Sequence, residues 1–361
     1  MRAAAAIVIL LSGSSAYAQT WNPKTAASYL DGRMEWWSTW PNAARDHGTF
    51  CVSCHTAAPY AIARSALRTD LAESAPSPNE RKLLDNVTKR VRQWKEVQPF
   101  YPDKKPGDPK TAESRGTESI FNALILASAD APSGKLSADA RLALDNMWAE
   151  QLKTGDANGA WSWLQFHNSP WEGDSQYYGA TLAAIAIGTA PGNYSALPEV
   201  QDGLKSLRAY LTKERSSQIL VNQVVLLWAS TRLTGVLTQA ERQAIIDQTL
   251  AKQQEDGGFS LSSLVGGWKR ADGTPLENKS DGYATGLVAL ALRQAGVATN
   301  RREYQRAIAW LNANQDAEGR WLAYSLNKQR NLTTDVGRFM SDAATAYAVL
   351  ALESAKPVVT P

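Results

Sequence analysis

The chain is poor in the residues that bind metals or make covalent cross-links. Its 361 residues include two cysteines, three histidines and four methionines. Two cysteines exclude a disulfide-stapled scaffold and a four-thiolate zinc site. Clustered Lys and Arg are also missing: the net charge of +3 is mixed along the chain, which excludes the footprint of a nucleic-acid binder. No stretch is long and apolar enough to span a bilayer, and no period-two alternation persists, so nothing favours a sheet-based fold. Tryptophan, by contrast, is plentiful. Thirteen indoles need a large interior or a cavity wall to cover them, and a composition 44% hydrophobic and 20% charged is that of one large or two small globular domains.

The N-terminus has the pattern of a signal peptide. Arg2 is followed by an apolar run from Ala3 to Leu11 and by the small-x-small site Ala16-Tyr17-Ala18. Residues 1–18 are therefore expected to be removed, the mature chain to begin at Gln19, and the protein to be exported to the periplasm.

Both cysteines fall in Cys51-Val52-Ser53-Cys54-His55. This spacing suits two thiols bonded to the vinyl groups of a haem edge, with the next imidazole under the iron. The expectation is one covalent haem c on Cys51, Cys54 and His55, with His55 as an iron ligand. A Cys51–Cys54 disulfide is the main competitor. A thioredoxin-like pair would need an α/β fold, and a closed zinc site would need more ligands. For the sixth iron position the order of preference is His167, Met340, then His47, with Met34 and Met147 behind; lone His and Met residues also serve as packing.

Apolar residues recur at helical spacing in two alternating kinds of segment. Nearly uncharged segments lie near 59–70, 117–129, 175–188, 218–233, 281–295 and 342–354. Charged amphipathic ones lie near 79–97, 136–153, 199–213, 238–254 and 301–315. A helix apolar nearly all round is a buried helix, and a period of roughly 45–60 residues marks a helical repeat array. The expected fold is all-α: an (α/α)6 toroid of inner and outer helices over residues 59–361. Residues 19–58 would form an N-terminal helical haem-attachment segment, with Trp21 to Phe50 packed across the ring.

The repeats share a turn in which a glutamine is followed by glycine and an aromatic ring. The fullest copy runs from Trp310 through Gln315 and Gly319 to Trp321. Gln254 with Gly257, Gly258 and Phe259, and Gln151 with Gly159 and Trp161, are looser copies. Gln is expected to cap the outer helix, Gly to allow the reversal, and the ring to stack over the turn. These residues resemble the Gln-Trp repeat of the squalene–hopene cyclase and prenyltransferase superfamily over roughly residues 80–355. The resemblance implies an α/α toroid around an apolar cavity. The family's catalytic signatures are missing: there is no Asp-x-Asp-Asp motif, and both cysteines are already assigned. The region from Cys51 to Ala61 resembles bacterial proteins that join a c-haem motif to a cyclase-like toroid.

In such a toroid every loop from an outer to an inner helix lies at one end. That end would hold the haem motif and the long loops 154–174, 255–280 and 316–341. Polar residues start the inner segments: Glu118, Gln176, Gln218, Asp281 and Asp342. All five suit N-capping, and Asp281 and Asp342 are the candidates for catalytic acid–base work. The functional expectation is a periplasmic mono-haem redox protein, acting in electron transfer with a redox partner protein or in haem-dependent oxidation of a hydrophobic small molecule. The alternative is a non-redox cyclase-like enzyme or a binding or sensor module for a hydrophobic ligand.

Overall fold

The computed structural model describes residues 21–166, 170–171 and 175–356. The expected signal peptide and His167 lie outside these residues. Among the described residues there are twelve α-helices of seven residues or more. In chain order they are α1 Pro23–Thr39, α2 Ala57–Ala63, α3 Pro78–Arg92, α4 Lys110–Asp130, α5 Ala138–Ala149, α6 Ser175–Thr189, α7 Gln201–Glu214, α8 Leu220–Arg232, α9 Gln239–Leu250, α10 Gly282–Gln294, α11 Arg302–Ala313 and α12 Phe339–Ala355. The only sheet among the described residues is a two-residue ladder, with Ala44 opposite Phe50 and Arg45 opposite Thr49.

The even-numbered helices pack in sequence, α2 on α4, α4 on α6, and so on to α12, and α12 returns to α2, which closes a ring. Their composition explains their position. Every residue of α10 from Gly282 to Leu292 is buried, as is nearly all of α12 from Met340 to Leu352. Each fully buried Val or Leu contributes roughly 1.5–3 kcal/mol, so these segments gain most where no face meets water. The odd-numbered helices lie outside, and α1, α3, α5 and α9 begin with polar side-chain caps from Asn22, Ser77, Ser137 and Thr238. Ser77 with Glu80 and Thr238 with Glu241 make capping boxes on α3 and α9.

The expected alternation of segments is therefore the observed alternation of inner and outer helices. The difference lies at the N-terminus. Helix α1 does not cross the ring; it packs between α12 and α2, where an outer helix belongs, and touches α3, the next outer helix. Its buried face carries Tyr29, Leu30, Arg33, Met34 and Trp37. The outer layer is completed by the residues ahead of the cysteine motif.

The Gln-Gly-aromatic turns join successive outer helices. The Gln315 amide nitrogen donates to the carbonyls of Gly319, in its own turn, at 3.0 Å and of Asn22, at the start of α1, at 3.1 Å; its oxygen accepts from the Asn22 N–H at 2.6 Å. Gln151 donates to Gly159 and to Gly203 on α7, each at 3.0 Å. In the middle copy the bridging residue is Gln253, not the expected Gln254: Gln253 donates to Gly257 at 2.9 Å and to Glu303 on α11 at 2.7 Å. Glutamine thus links neighbours, and the indoles supply the cap that had been expected of it. Trp161 Nε1 donates to the Met147 carbonyl at 2.6 Å and Trp321 Nε1 to that of Leu311 at 2.8 Å.

Glycine is required in these turns. Gly319 has φ of +89°, and a Cβ there would stand 2.2 Å from the Thr25 carbonyl oxygen. Gly319→Ala should lower unfolding stability by about 2 kcal/mol or more, read from urea denaturation. Gly267→Ala, where a Cβ would meet open space, should leave the midpoint unchanged.

Candidate functional site

A cavity of about 180 Å³ opens at the end of the ring where the inner helices begin. Its floor and one wall come from Cys51 to His55, just ahead of α2. Thr117 and Phe121 of α4, Trp163 and Trp171 ahead of α6, and Ser325, Arg330 and Phe339 around the start of α12 complete it. Trp37 of α1 also lines it and donates its indole N–H to the Cys51 carbonyl at 2.6 Å. The rings are mutually supported. Trp163 Nε1 donates to the Trp171 carbonyl at 2.9 Å, Phe121 stands edge-on to Trp163 at 5.4 Å, and Leu164 is tied to α4 through the Thr117 hydroxyl.

Behind this wall Asp342, in the first turn of α12, gathers three donors. Tyr29 OH donates at 2.7 Å and Arg33 Nε at 2.8 Å, both to Oδ1, and Thr56 Oγ1 donates at 2.6 Å to Oδ2. Arg33 continues to Asp335 through Nη1 and to the Asp335 carbonyl through Nη2, each at 2.7 Å. Burial pushes the Asp342 carboxyl upward and the guanidinium opposes it. Three converging donors are what an ionised carboxylate needs. Thr56 also meets His55 Nδ1 at 2.8 Å. The His55 ring lies flat on Phe339, with centroids 3.7 Å apart, and edge-on to Trp37 at 5.0 Å. Burial, then Arg33 and Arg330, hold its pKa down at about 3.

The other expected site residues are dispersed. Asp281 caps α10 through the Ala284 N–H at 2.9 Å and holds the Leu261 N–H at 2.6 Å; burial pushes its carboxyl up to about 7. Neither Asp281 nor Asp342 lines the cavity. Glu118 stands in the third turn of α4, because that helix begins at Lys110, and pairs with Arg90 at 2.5 Å. Gln218 accepts from Asn222 at 2.9 Å. Met340 is buried in the cavity wall, Met34 and Met147 are core residues, and His47 is at the surface, bonded to Asp46 at 2.9 Å.

Arg330 was missed from sequence. It lines the cavity with no carboxylate or hydrogen-bond acceptor to neutralise it among the described residues, and burial alone pushes its pKa down. Nothing in a loop Arg near Lys328 marks it in the sequence. Thr56 directly follows the histidine, inside the Cys51–Ala61 region, and nothing in the sequence singles it out.

Neither a protein-family model nor a curated protein matches the sequence. Solved structures do. Two described as variants of a glycosidase are each 13% identical to it at a TM-score of 0.52, covering 92% of this chain and 96% of their own. At that identity the likeness is one of fold: the protein has an all-α, multi-helix fold resembling the (α/α) toroid of those structures.

This corrects the haem reading. The similar toroids are glycosidases and not haem-bearing cyclases, and among the described residues no group of three or more His, Cys, Asp or Glu is placed to hold a metal. The motif's surroundings give the physical reason. Cys51 is buried, its thiol pushed up to about 12. The His55 ring is packed between Phe339 and Trp37 as part of the cavity wall. A cavity of about 180 Å³ takes one ring, as an engineered cavity of about 150 Å³ takes benzene, but not a macrocycle of four pyrroles. Cys51, Cys54 and His55 are cavity wall. Met340 packs beside them, and His167 lies outside the described residues. The electron-transfer role, the redox partner and the haem-oxidised hydrophobic substrate fall with the haem.

Two measurements test this geometry. Arg33 and Asp342 are almost wholly buried, so Asp342→Ala should cost about 3–5 kcal/mol by stranding the guanidinium, and Arg33→Met combined with Asp342→Leu should recover part of it. For His55, the folded ring stays neutral to about pH 3, whereas the unfolded ring takes a proton below about 6.5. The unfolded chain therefore binds more protons in that window, and stability should fall as pH drops through it. In His55→Gln the decline in urea midpoint between about pH 6.5 and 4 should be shallower.

Proposed function

We propose that the protein is a non-redox ligand-binding module of the (α/α)6 toroid type, and that its mouth cavity takes a small aromatic carboxylate. Its place in the cell is part of the proposal: the Arg2, Ala3–Leu11 and Ala16-Tyr17-Ala18 pattern supports export, with the ligand met outside the cytoplasm.

The observation that carries the reading is Arg330. A half-buried guanidinium at the rim of an aromatic cavity, without a counter-charge among the described residues, is available to pair with a bound anion. The size and walls of the cavity specify the rest of the ligand. About 180 Å³ bounded by Trp37, Phe121, Trp163, Trp171 and Phe339 suits one planar ring held by stacking and edge contacts. The activity of the similar glycosidases is not carried over. Glycoside hydrolysis uses two carboxylates that flank the scissile bond, and the described lining of this cavity has no Asp or Glu. Asp281 and Asp342 face the scaffold, where the reading gives them capping and anchoring roles.

Titration calorimetry with benzoate tests the proposal. Binding should be measurable and should weaken tenfold or more in Arg330→Met, the loss of one charge-assisted contact worth about 1.5–3 kcal/mol. Benzyl alcohol should bind both proteins alike. No benzoate binding at millimolar concentration, or equal binding by Arg330→Met, would overturn the reading.

A further inference from the structure

Asp342, Thr56 and His55 form a single file of hydrogen bonds from the protein interior to the cavity. A threonine hydroxyl has one proton. With Thr56 Oγ1 donating it to the Asp342 carboxylate at 2.6 Å, the only role left at the 2.8 Å contact with His55 is acceptor. His55 Nδ1 must then carry the ring proton, and Nε2 must present a lone pair. Arg33 and Tyr29 fix the direction of the file, because both donate to the same carboxylate and keep it an acceptor. Phe339 on the face and Trp37 at the edge fix the plane of the ring. On the same cavity wall, the Trp171 indole N–H is buried without a hydrogen-bond partner among the described residues.

We infer that the Asp342–Thr56–His55 file makes His55 Nε2 a built hydrogen-bond acceptor in the cavity, and that the site selects aromatic acids that also carry a hydroxyl group. The inference rests on the aromatic-carboxylate reading and completes it. Arg330 supplies donors for the carboxylate oxygens, and His55 Nε2 receives the hydroxyl proton in a hydrogen bond, with no proton transfer. Thr56 and Asp342 are positioning residues. A cavity with donors alone would take benzoate and hydroxybenzoate equally; one acceptor held at a fixed point discriminates between them, since an unmet polar group in an apolar site weakens binding.

The test uses the full protein labelled with ¹⁵N-histidine, whose three histidines are assigned with His47→Gln and His167→Gln. In the free protein at neutral pH, His55 should be protonated on Nδ1 and bare on Nε2. Of 2-, 3- and 4-hydroxybenzoate, at least one should bind about tenfold tighter than benzoate and move the His55 Nε2 resonance, while benzoate leaves it in place. Thr56→Val should release the tautomer and bring the ratio of hydroxybenzoate to benzoate affinity down to about one. Thr56→Ser should restore both, and a Thr56→Val protein that fails to fold leaves the tautomer and the isomer series of the parent as the deciding data. An Nε2–H tautomer in the free protein, or three isomers that bind no tighter than benzoate, would overturn the inference. If benzoate binds through Arg330 in that case, only the inference fails; if benzoate does not bind at all, the reading beneath it fails.

Discussion

The buried pair between Arg33 and Asp342 organises both the ring and its mouth. Arg33 comes from the first helix of the outer layer and Asp342 from the last helix of the inner layer, 309 residues apart. Two charges taken out of water are tolerable only when every lone pair and N–H finds a partner. Here Tyr29, Thr56 and Asp335 supply them. The partners reach outward as well as inward, so one electrostatic requirement closes the circle of helices, seats the Cys51–His55 segment and sets the tautomer of the only described histidine in the cavity.

The glutamine turns make the same closure from the backbone side. Each uses one side-chain amide to join its own glycine to the first turn of the next outer helix, and the last of the three finds that next helix at the N-terminus. A repeat array usually ends in caps. In this chain α1 stands where the next outer helix would be, and the same amide contact that spaces the outer layer also closes it.

The architecture was legible because it depends on composition summed over long segments. A run such as Tyr283 to Leu292 has no polar face to show to water, so its place inside the ring follows from its residues. The register of the turns was less legible: Gln253 and Gln254 are adjacent, and only the direction of each side chain shows which one reaches α11. The site was least legible. Its walls come from α1, the segment before α2, α4 and the loops before α6 and α12, and a guanidinium left without a partner is a property of what fails to surround it. No local pattern carries that information.

The cysteine motif shows the same limit from the other direction. Spacing along five residues reports which groups can reach one another, and Cys51, Cys54 and His55 are indeed neighbours at a cavity. It does not report what covers them. Phe339, 284 positions further on, lies against the imidazole face at 3.7 Å, and Thr56, the very next residue, is drawn inward by Asp342. These two contacts fix the imidazole, with Nδ1 tied to the scaffold and Nε2 left to the cavity. The chemistry open to His55 is thus decided by the ion pair behind it: as long as Arg33 keeps Asp342 an acceptor, Thr56 must accept from His55, and the imidazole offers the cavity a lone pair.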